Sequence, residues 1–131
     1  MQEELGKLVV RLTVGGLLLL HGIHKVLTGI ADVKGMVVDH HLPDLLAYGV
    51  YLGEVVGPVL VILGIFSRAG GVLIAVNMIF AIALAGMGML AQLNGFGGYA
   101  LELEVFYLLG GVSVALLGAG RLSANIGGKW N

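Results

Sequence analysis

Apolar residues fill four long stretches of the chain, at residues 5–27, 45–66, 69–90 and 100–117. Each stretch consists mainly of Leu, Val, Ile, Ala, Met and Gly, whereas a helix of a soluble protein keeps a polar face. Each also has about the 20 residues that a helix needs to cross the hydrocarbon core of a bilayer. The strict alternation expected of membrane β-strands is absent. The pattern therefore predicts four membrane-spanning helices.

Turn-forming residues separate the predicted spans. Pro43 stands at the entry to the second span, where its missing N–H costs little. Residues 67–68 leave room only for a tight hairpin between the second and third spans. Residues 92–98, which contain Asn-Gly and Gly-Gly pairs, form a turn-rich link to the fourth. Short links of this kind favour antiparallel neighbours.

A shorter helix is predicted between the first two spans. Ile30, Val33 and Val37 recur there at helical spacing beside charged residues, which is typical of a helix lying at a membrane interface. We therefore expect an all-α fold. The expected architecture is an integral membrane antiparallel four-helix bundle with a short interfacial helix between spans one and two. We expect residues 1–131 to form a single domain.

Composition supports a membrane protein and excludes several classes of function. Hydrophobic residues make up 58% of the chain and charged residues 11%, compared with about 25% charged in a typical soluble domain. A net charge of -1 provides no basic surface, so we expect no nucleic-acid partner. The chain has no Cys, which excludes disulfide, thiolate-metal and dithiol redox chemistry. A redox role would need a borrowed cofactor.

The distribution of basic residues predicts an orientation. An even number of spans places both termini and the 67–68 hairpin on one side of the membrane. That side carries most of the basic residues, namely Lys7, Arg11, Arg68, Arg121 and Lys129. Because cytoplasmic loops are enriched in Lys and Arg, we expect a multi-pass protein of the inner (cytoplasmic) membrane with both termini in the cytoplasm.

Glycines in the second predicted span indicate close helix packing. Gly49, Gly53 and Gly57 recur every four residues and so share one face of a helix. Small residues at this spacing let a second backbone approach closely, which drives helix association in lipid. The sequence leaves open whether this groove packs within one chain or in a homo-oligomer.

Three polar residues are predicted to meet in the bundle interior. An ionisable side chain in hydrocarbon costs at least about 2.5–3.5 kcal/mol, so it needs a partner or a water-lined cavity. Arg11, Glu54 and Asn77 all fall within predicted spans. We expect an Arg11–Glu54 pair bridged by Asn77. The alternative for Arg11 is that its side chain extends to the cytoplasmic headgroups.

Further polar residues are expected to line a cleft in the outer half of the bundle. The candidates for ligand binding or proton relay there are His21, Lys25 and Glu102 together with Glu54, and Tyr107 is deep enough to reach the cleft. For Lys25 an extension to the outer headgroups is the favoured interpretation. Glu102 and Glu104 point about 200° apart on a helix, so only one of them can face the bundle. No metal site is expected.

The order of several short motifs resembles the DoxX family of small four-helix membrane proteins. The motifs are Arg11-Leu12, residues 21–25 (HGIHK), Leu42-Pro43, residues 53–57 (GEVVG), residues 63–68 (LGIFSR) and residues 118–123 (GAGRLS). In the last motif the family more often has Gly-Pro-Gly, so Ala119 departs from the pattern. Carried over by position, Arg11, His21, Lys25, Glu54 and Glu102 match polar positions of the family.

The resemblance implies an inner-membrane protein associated with quinone-coupled oxidoreductases, sulfur-compound oxidation or oxidative-stress complexes. Our leading hypothesis is a membrane subunit that holds a quinone or similar lipid-soluble ligand, with His21 and Glu54 or Glu102 relaying protons. Electrons would come from a soluble or membrane-bound oxidoreductase partner, and no cofactor is intrinsic to the chain. The alternatives are a non-catalytic membrane anchor or assembly factor and a small dimeric transporter. Whether the chain is itself an enzyme stays open.

Overall fold

The computed structural model describes all 131 residues and is helical apart from its connections and two isolated bridges. The helices are α1 (Gln2–Thr28), α2 (Ala31–Asp39), α3 (Asp44–Leu63), α4 (Ser67–Met89) and α5 (Glu102–Leu117), and a 3-10 turn follows at Gly128–Trp130. By length and composition, α1, α3 and α4 are able to cross a membrane. With 16 residues, α5 is shorter than the fourth span that the sequence predicts.

The helix ends and irregularities have local causes. The predicted second span stops early, at Leu63, because Gly64 and Phe66 adopt left-handed backbone angles (φ 73° and 47°) that turn the chain into α4. Neither α3 nor α4 is a regular α-helix throughout. A π-helical segment interrupts α3 at Leu52–Val56, and another interrupts α4 at Ile82–Gly86. Such segments are rare and occur frequently at functional sites.

The helices run antiparallel to their neighbours, so the molecule has two distinct ends. The terminal end comprises Met1, the hairpin 64–67 and the segment 118–131, and the loop end comprises residues 29–43 and 90–101. At the terminal end the segment 118–131 folds back over the hairpin. The Phe66 N–H donates to the Ile126 carbonyl at 2.7 Å, and the Ala124 N–H donates to the Leu63 carbonyl at 2.9 Å.

Small residues bring the helices into backbone contact. Gly71 of α4 faces Gly111 of α5 so closely that a Cβ on either would meet the other's carbonyl oxygen. Gly57 of α3 meets Gly70 of α4 in the same way. Such contacts replace the hydrophobic effect, which lipid cannot supply between helices.

Two hydrophobic clusters fill the interior. The larger one joins α1, α3, α4 and α5 and contains Leu18, Val61, Ile74, Met78, Tyr107 and Val114. The smaller one contains Ile30, Val37 and Ala47 and attaches α2 to the start of α3. Lys34 adds a polar contact there, because its ammonium donates to the Tyr48 hydroxyl at 2.6 Å, which raises the pKa of Lys34. Thus α2 lies across the loop end of α3 and α4.

Candidate functional site

An ion pair between α1 and α3 is the centre of the candidate site. Glu54 lies in the π-helical segment of α3 and is only 4% exposed. The Lys25 ammonium of α1 donates to both of its carboxylate oxygens at 2.7 Å. The helices approach this closely because Gly22 has no side chain, and a Cβ there would overlap the Glu54 carbonyl. The negative charge of the buried Glu54 carboxylate is therefore neutralised by one lysine.

A third helix contributes an amide to the same group. The Asn77 side chain of α4 donates from Nδ2 to the second carboxylate oxygen of Glu54 at 3.4 Å. Gly53 makes room for it, since a Cβ at that position would collide with the Asn77 side chain. The expected contact between Glu54 and Asn77 is therefore present. Glu54 belongs to α3, and its carboxylate accepts hydrogen bonds from side chains of α1 and α4.

This polar group forms one end of a cavity of ≈ 330 Å³. Fourteen of its nineteen lining residues are hydrophobic, and Lys25, Glu54 and Asn77 supply the charged and amide groups. The apolar wall comes from three helices and includes Val33 and Met36 of α2, Leu46 and Leu52 of α3, and Val76 and Phe80 of α4. Ligand sites commonly combine such apolar walls with a few convergent polar groups.

Arg11 does not reach Glu54, so the predicted Arg11–Glu54 pair is wrong. Its guanidinium is buried at the terminal end and donates four hydrogen bonds to main-chain carbonyls. They belong to Val61, Ile62, Ala119 and Leu122, at 2.8–2.9 Å. The physical reason is that a helix end leaves carbonyls without partners, and the turn at Gly64 ends α3 beside Arg11. Since Arg11 is 1% exposed, it does not extend to the headgroups either.

Lys25 also departs from its expected position, because its ammonium turns inward to Glu54 and not outward to the loop end. Side chains on a helix lean toward the N-terminus. For Lys25, near the C-terminal end of α1, that direction leads into the bundle. For Glu54 on the antiparallel α3, the same rule directs the carboxylate back toward Lys25. This signal was available in the sequence.

His21 and Tyr107 contact each other but do not line the cavity. Their rings meet edge to face, with centroids 5.9 Å apart and an interplanar angle of 82°. Tyr107 is buried in the core, whereas His21 is exposed on the surface of α1. They therefore form an aromatic contact between α1 and α5.

Glu102 lies outside the cavity, and the expected cleft containing both Glu54 and Glu102 is not formed. Glu102 is exposed at the start of α5, where its carboxylate accepts a hydrogen bond from Asn94 at 3.2 Å. Asn94 also orders its own loop by accepting from the N–H groups of Phe96 and Gly98. Of the two candidate carboxylates, Glu104 is the more buried. Glu102 therefore belongs to the loop at the start of α5.

Sequence reasoning missed the contribution of α2 to the cavity. Val33 and Val37 were expected only to face a membrane surface, yet both line the cavity wall together with Met36. The helical spacing of these residues predicted an apolar face but not what that face covers.

Comparison with known proteins identifies the family of the chain. A search of curated proteins and a search of solved structures each find no significant match. A family model does match: the model described as DoxX covers residues 6–87, which include Lys25, Glu54 and Asn77. Because this match extends over more than half of the chain, the protein belongs to the DoxX family.

Proposed function

We propose that the chain crosses the inner (cytoplasmic) membrane four times, with α5 as the fourth span and α2 at the outer interface. The 16 residues of α5 measure about 24 Å, and its glycine contact with α4 continues the packing of the longer helices. Both termini lie at one end, where the Glu4 carboxylate accepts the Arg121 N–H. Arg68 and Lys129 are at that end too, which favours a cytoplasmic location for it.

A cysteine-labelling experiment tests this orientation. The chain has no native Cys, so Gly95→Cys and Lys129→Cys each introduce one thiol, at the loop end and the terminal end respectively. In intact cells stripped of any outer membrane, a membrane-impermeant maleimide should label the first and not the second. The reverse pattern, or labelling of both, contradicts the proposed topology.

We further propose that the protein is the membrane subunit of a quinone-linked oxidoreductase or redox-stress complex. The observation that carries this proposal is the ion pair between the buried Glu54 carboxylate and the half-buried Lys25 ammonium, at the polar end of an otherwise apolar cavity. Apolar walls suit the ring and tail of a quinone, and the N–H groups of Lys25 and Asn77 suit its carbonyl oxygen. Reduction of a quinone to a hydroquinone takes two electrons, which a partner protein supplies, and two protons.

The chain's own residues would position the ligand and handle protons. Lys25 has three N–H donors, and its two bonds to Glu54 leave one for a ligand carbonyl. Glu54 is the proton-exchanging group of the proposal: it takes up a proton as the ligand takes up an electron, so that the negative charge of the reduced ligand replaces that of Glu54 beside Lys25. His21 and Tyr107 are candidates for relaying protons beyond Glu54. Glu102 is assigned to the surface loop.

The test is to purify the protein in mild detergent and to identify the co-purifying lipids by mass spectrometry. Wild type should retain a quinone at close to one per chain, and Glu54→Gln should retain less than about a tenth of that amount. Glu3→Gln is the matched control, because Glu3 pairs with Lys7 at the exposed terminal end. A wild-type protein that carries a soluble partner but no lipid contradicts the proposal and supports a non-catalytic anchor.

A further inference from the structure

The glycine row of α3 shows where this helix separates from α4. Gly57 and Gly53 both contact α4, at Gly70 and Asn77 respectively. Gly49, one turn nearer the loop end than Gly53, has nothing within 4 Å of the position that a Cβ would occupy. Gly49 instead lines the cavity. The two helices therefore touch in the half nearer the terminal end and diverge toward the loop end.

The gap left by this divergence reaches the side of the bundle. The cavity-lining residues Leu52 of α3 and Val76 and Phe80 of α4 are 52%, 45% and 52% exposed. Phe80 lies nine residues from the end of α4 at Met89, which corresponds to a depth of about 14 Å. At that depth an exposed apolar side chain meets acyl chains. The opening consequently faces the hydrocarbon of the bilayer.

The end of the cavity that points to the aqueous phase is covered. Met36 and Val37 of α2 line the cavity there, and Val37 is 2% exposed against Ala47 of α3. The hydrogen bond from Lys34 to Tyr48 adds a polar attachment for the same helix. Helix α2 thus forms a roof over the loop end of the cavity. The side opening between α3 and α4 is the remaining route into it.

The polar end restricts the chemistry of the occupant. Lys25 and Glu54 balance each other, so a ligand with a charged headgroup would leave one net charge in a region of low dielectric constant, which is costly. Glu54 lies ten residues from the start of α3, about 15 Å deep. A phospholipid or fatty acid keeps its charged headgroup at the interface and cannot place it at that depth. A neutral headgroup that forms hydrogen bonds meets both conditions.

We propose that the cavity is loaded sideways from the bilayer, through the gap between α3 and α4, by a neutral lipid that enters with its polar head first. The head reaches Lys25 and Asn77, and the tail stays in the opening beside Gly49 and Phe80. This inference rests on the proposed function in that a quinone is one such lipid. It also covers other neutral lipids, such as isoprenoid alcohols, and excludes solutes that arrive from water.

Collision accessibility of a spin label tests the route without a ligand. Gly49→Cys carries the label at the opening of the reconstituted protein, and Leu20→Cys (63% exposed on α1) and Gly95→Cys provide the lipid and water references. The collision rate of the label at residue 49 with oxygen should be within about twofold of that of the Leu20 reference. Its collision rate with a water-soluble nickel chelate should be at least about fivefold lower than that of the Gly95 reference. Collision with the chelate, or with neither reagent, overturns the inference. Failure to find a quinone leaves this result unaffected, so the two proposals fail separately.

A second experiment blocks the gap. Gly49→Leu fills the opening while leaving the ion pair intact, and Gly16→Leu on α1, which also has nothing within 4 Å, is the matched control. With decylubiquinone as the probe, Gly49→Leu should weaken binding at least tenfold, whereas Gly16→Leu should change it less than twofold. Equal binding by both variants, with unchanged thermal unfolding, contradicts entry between α3 and α4.

Discussion

At the scale of single residues, Lys25 and Glu54 depend on each other. Two opposite charges in a region of low dielectric constant compensate one another, but either charge alone is strongly unfavourable. Glu54 is 4% exposed, and its ion pair with Lys25 has an N–O distance of 2.7 Å. Removing both charges should therefore destabilise the fold much less than removing one.

We expect Glu54→Gln to lower the free energy of unfolding by roughly 3–5 kcal/mol, because it leaves the Lys25 ammonium without a counter-charge. The double variant Lys25→Met with Glu54→Gln should recover most of that loss, since no buried charge remains. Thermal unfolding in detergent, followed by circular dichroism, measures both. A double variant no more stable than the single one would show that the pair is not the source of the effect.

Arg11 gives a second prediction at this scale. Arg11→Lys keeps the charge but has only three N–H donors, so at least one of the four carbonyl bonds is lost. We expect a loss of at least about 1.5 kcal/mol in the free energy of unfolding, because a hydrogen bond to a charged group contributes about 1.5–3 kcal/mol.

Arg121→Lys is the control for Arg11, because this exposed residue uses only its backbone N–H in a hydrogen bond. Its free energy of unfolding should change by less than about 0.5 kcal/mol. Equal effects of the two substitutions would indicate that the guanidinium contacts of Arg11 contribute nothing specific.

The sequence allowed only part of this residue chemistry to be predicted. That Glu54 and Asn77 are buried and meet follows from the cost of polar groups in lipid. The partner of Arg11 does not follow, because two of its carbonyls belong to residues 119 and 122, whose turn has no periodic pattern. The direction of Lys25 was predictable from helix geometry, but the general tendency of lysine to extend toward headgroups was given more weight.

At the scale of elements, the π-helical segments and α2 define the cavity. Leu52–Val56 of α3 carries Glu54, and Ile82–Gly86 of α4 supplies the lining residues Leu84 and Ala85. The long apolar stretches predicted both helices, but they could not predict a π-helical turn, which shifts the register by one residue without a distinctive composition. The same limit applies to α2, whose apolar face was evident while the surface that it covers was not.

If α2 is a roof attached by its apolar face, detaching it should leave the other helices folded. Val37→Asp places an unpaired carboxylate at a position that is 2% exposed. We expect amide exchange of residues 31–39 to accelerate at least about tenfold, since the carboxylate costs roughly 2 kcal/mol or more and 1.4 kcal/mol corresponds to a factor of ten.

Hydrogen exchange measured by mass spectrometry checks this prediction, with Ala31→Asp, at an exposed position in the first turn of the same helix, as the control. Exchange in α3 and α4 should stay within about twofold of wild type. Acceleration throughout the chain, or none in residues 31–39, would show that α2 is not a separable roof.

At the scale of the whole molecule, the apolar pattern was sufficient for an all-helical membrane protein and for most helix boundaries. The structure contains three helices long enough to span, and family membership agrees with the resemblance seen in the motifs. A cleft near Glu54 and Lys25 was expected, but the walls of the cavity were not predictable, because the cavity arises where α3 diverges from α4 although the three glycines of α3 have identical spacing. Only contacts between helices distinguish Gly53 and Gly57 from Gly49.

Native mass spectrometry of the intact protein released from detergent shows whether the cavity holds a lipid, because it counts lipids per chain. We expect one neutral lipid adduct per wild-type chain, and its loss in the variant that combines Lys25→Met with Glu54→Gln. A wild-type chain that is folded by circular dichroism but carries no adduct, or an adduct retained equally by the double variant, would contradict the assignment of this cavity as a lipid-binding site.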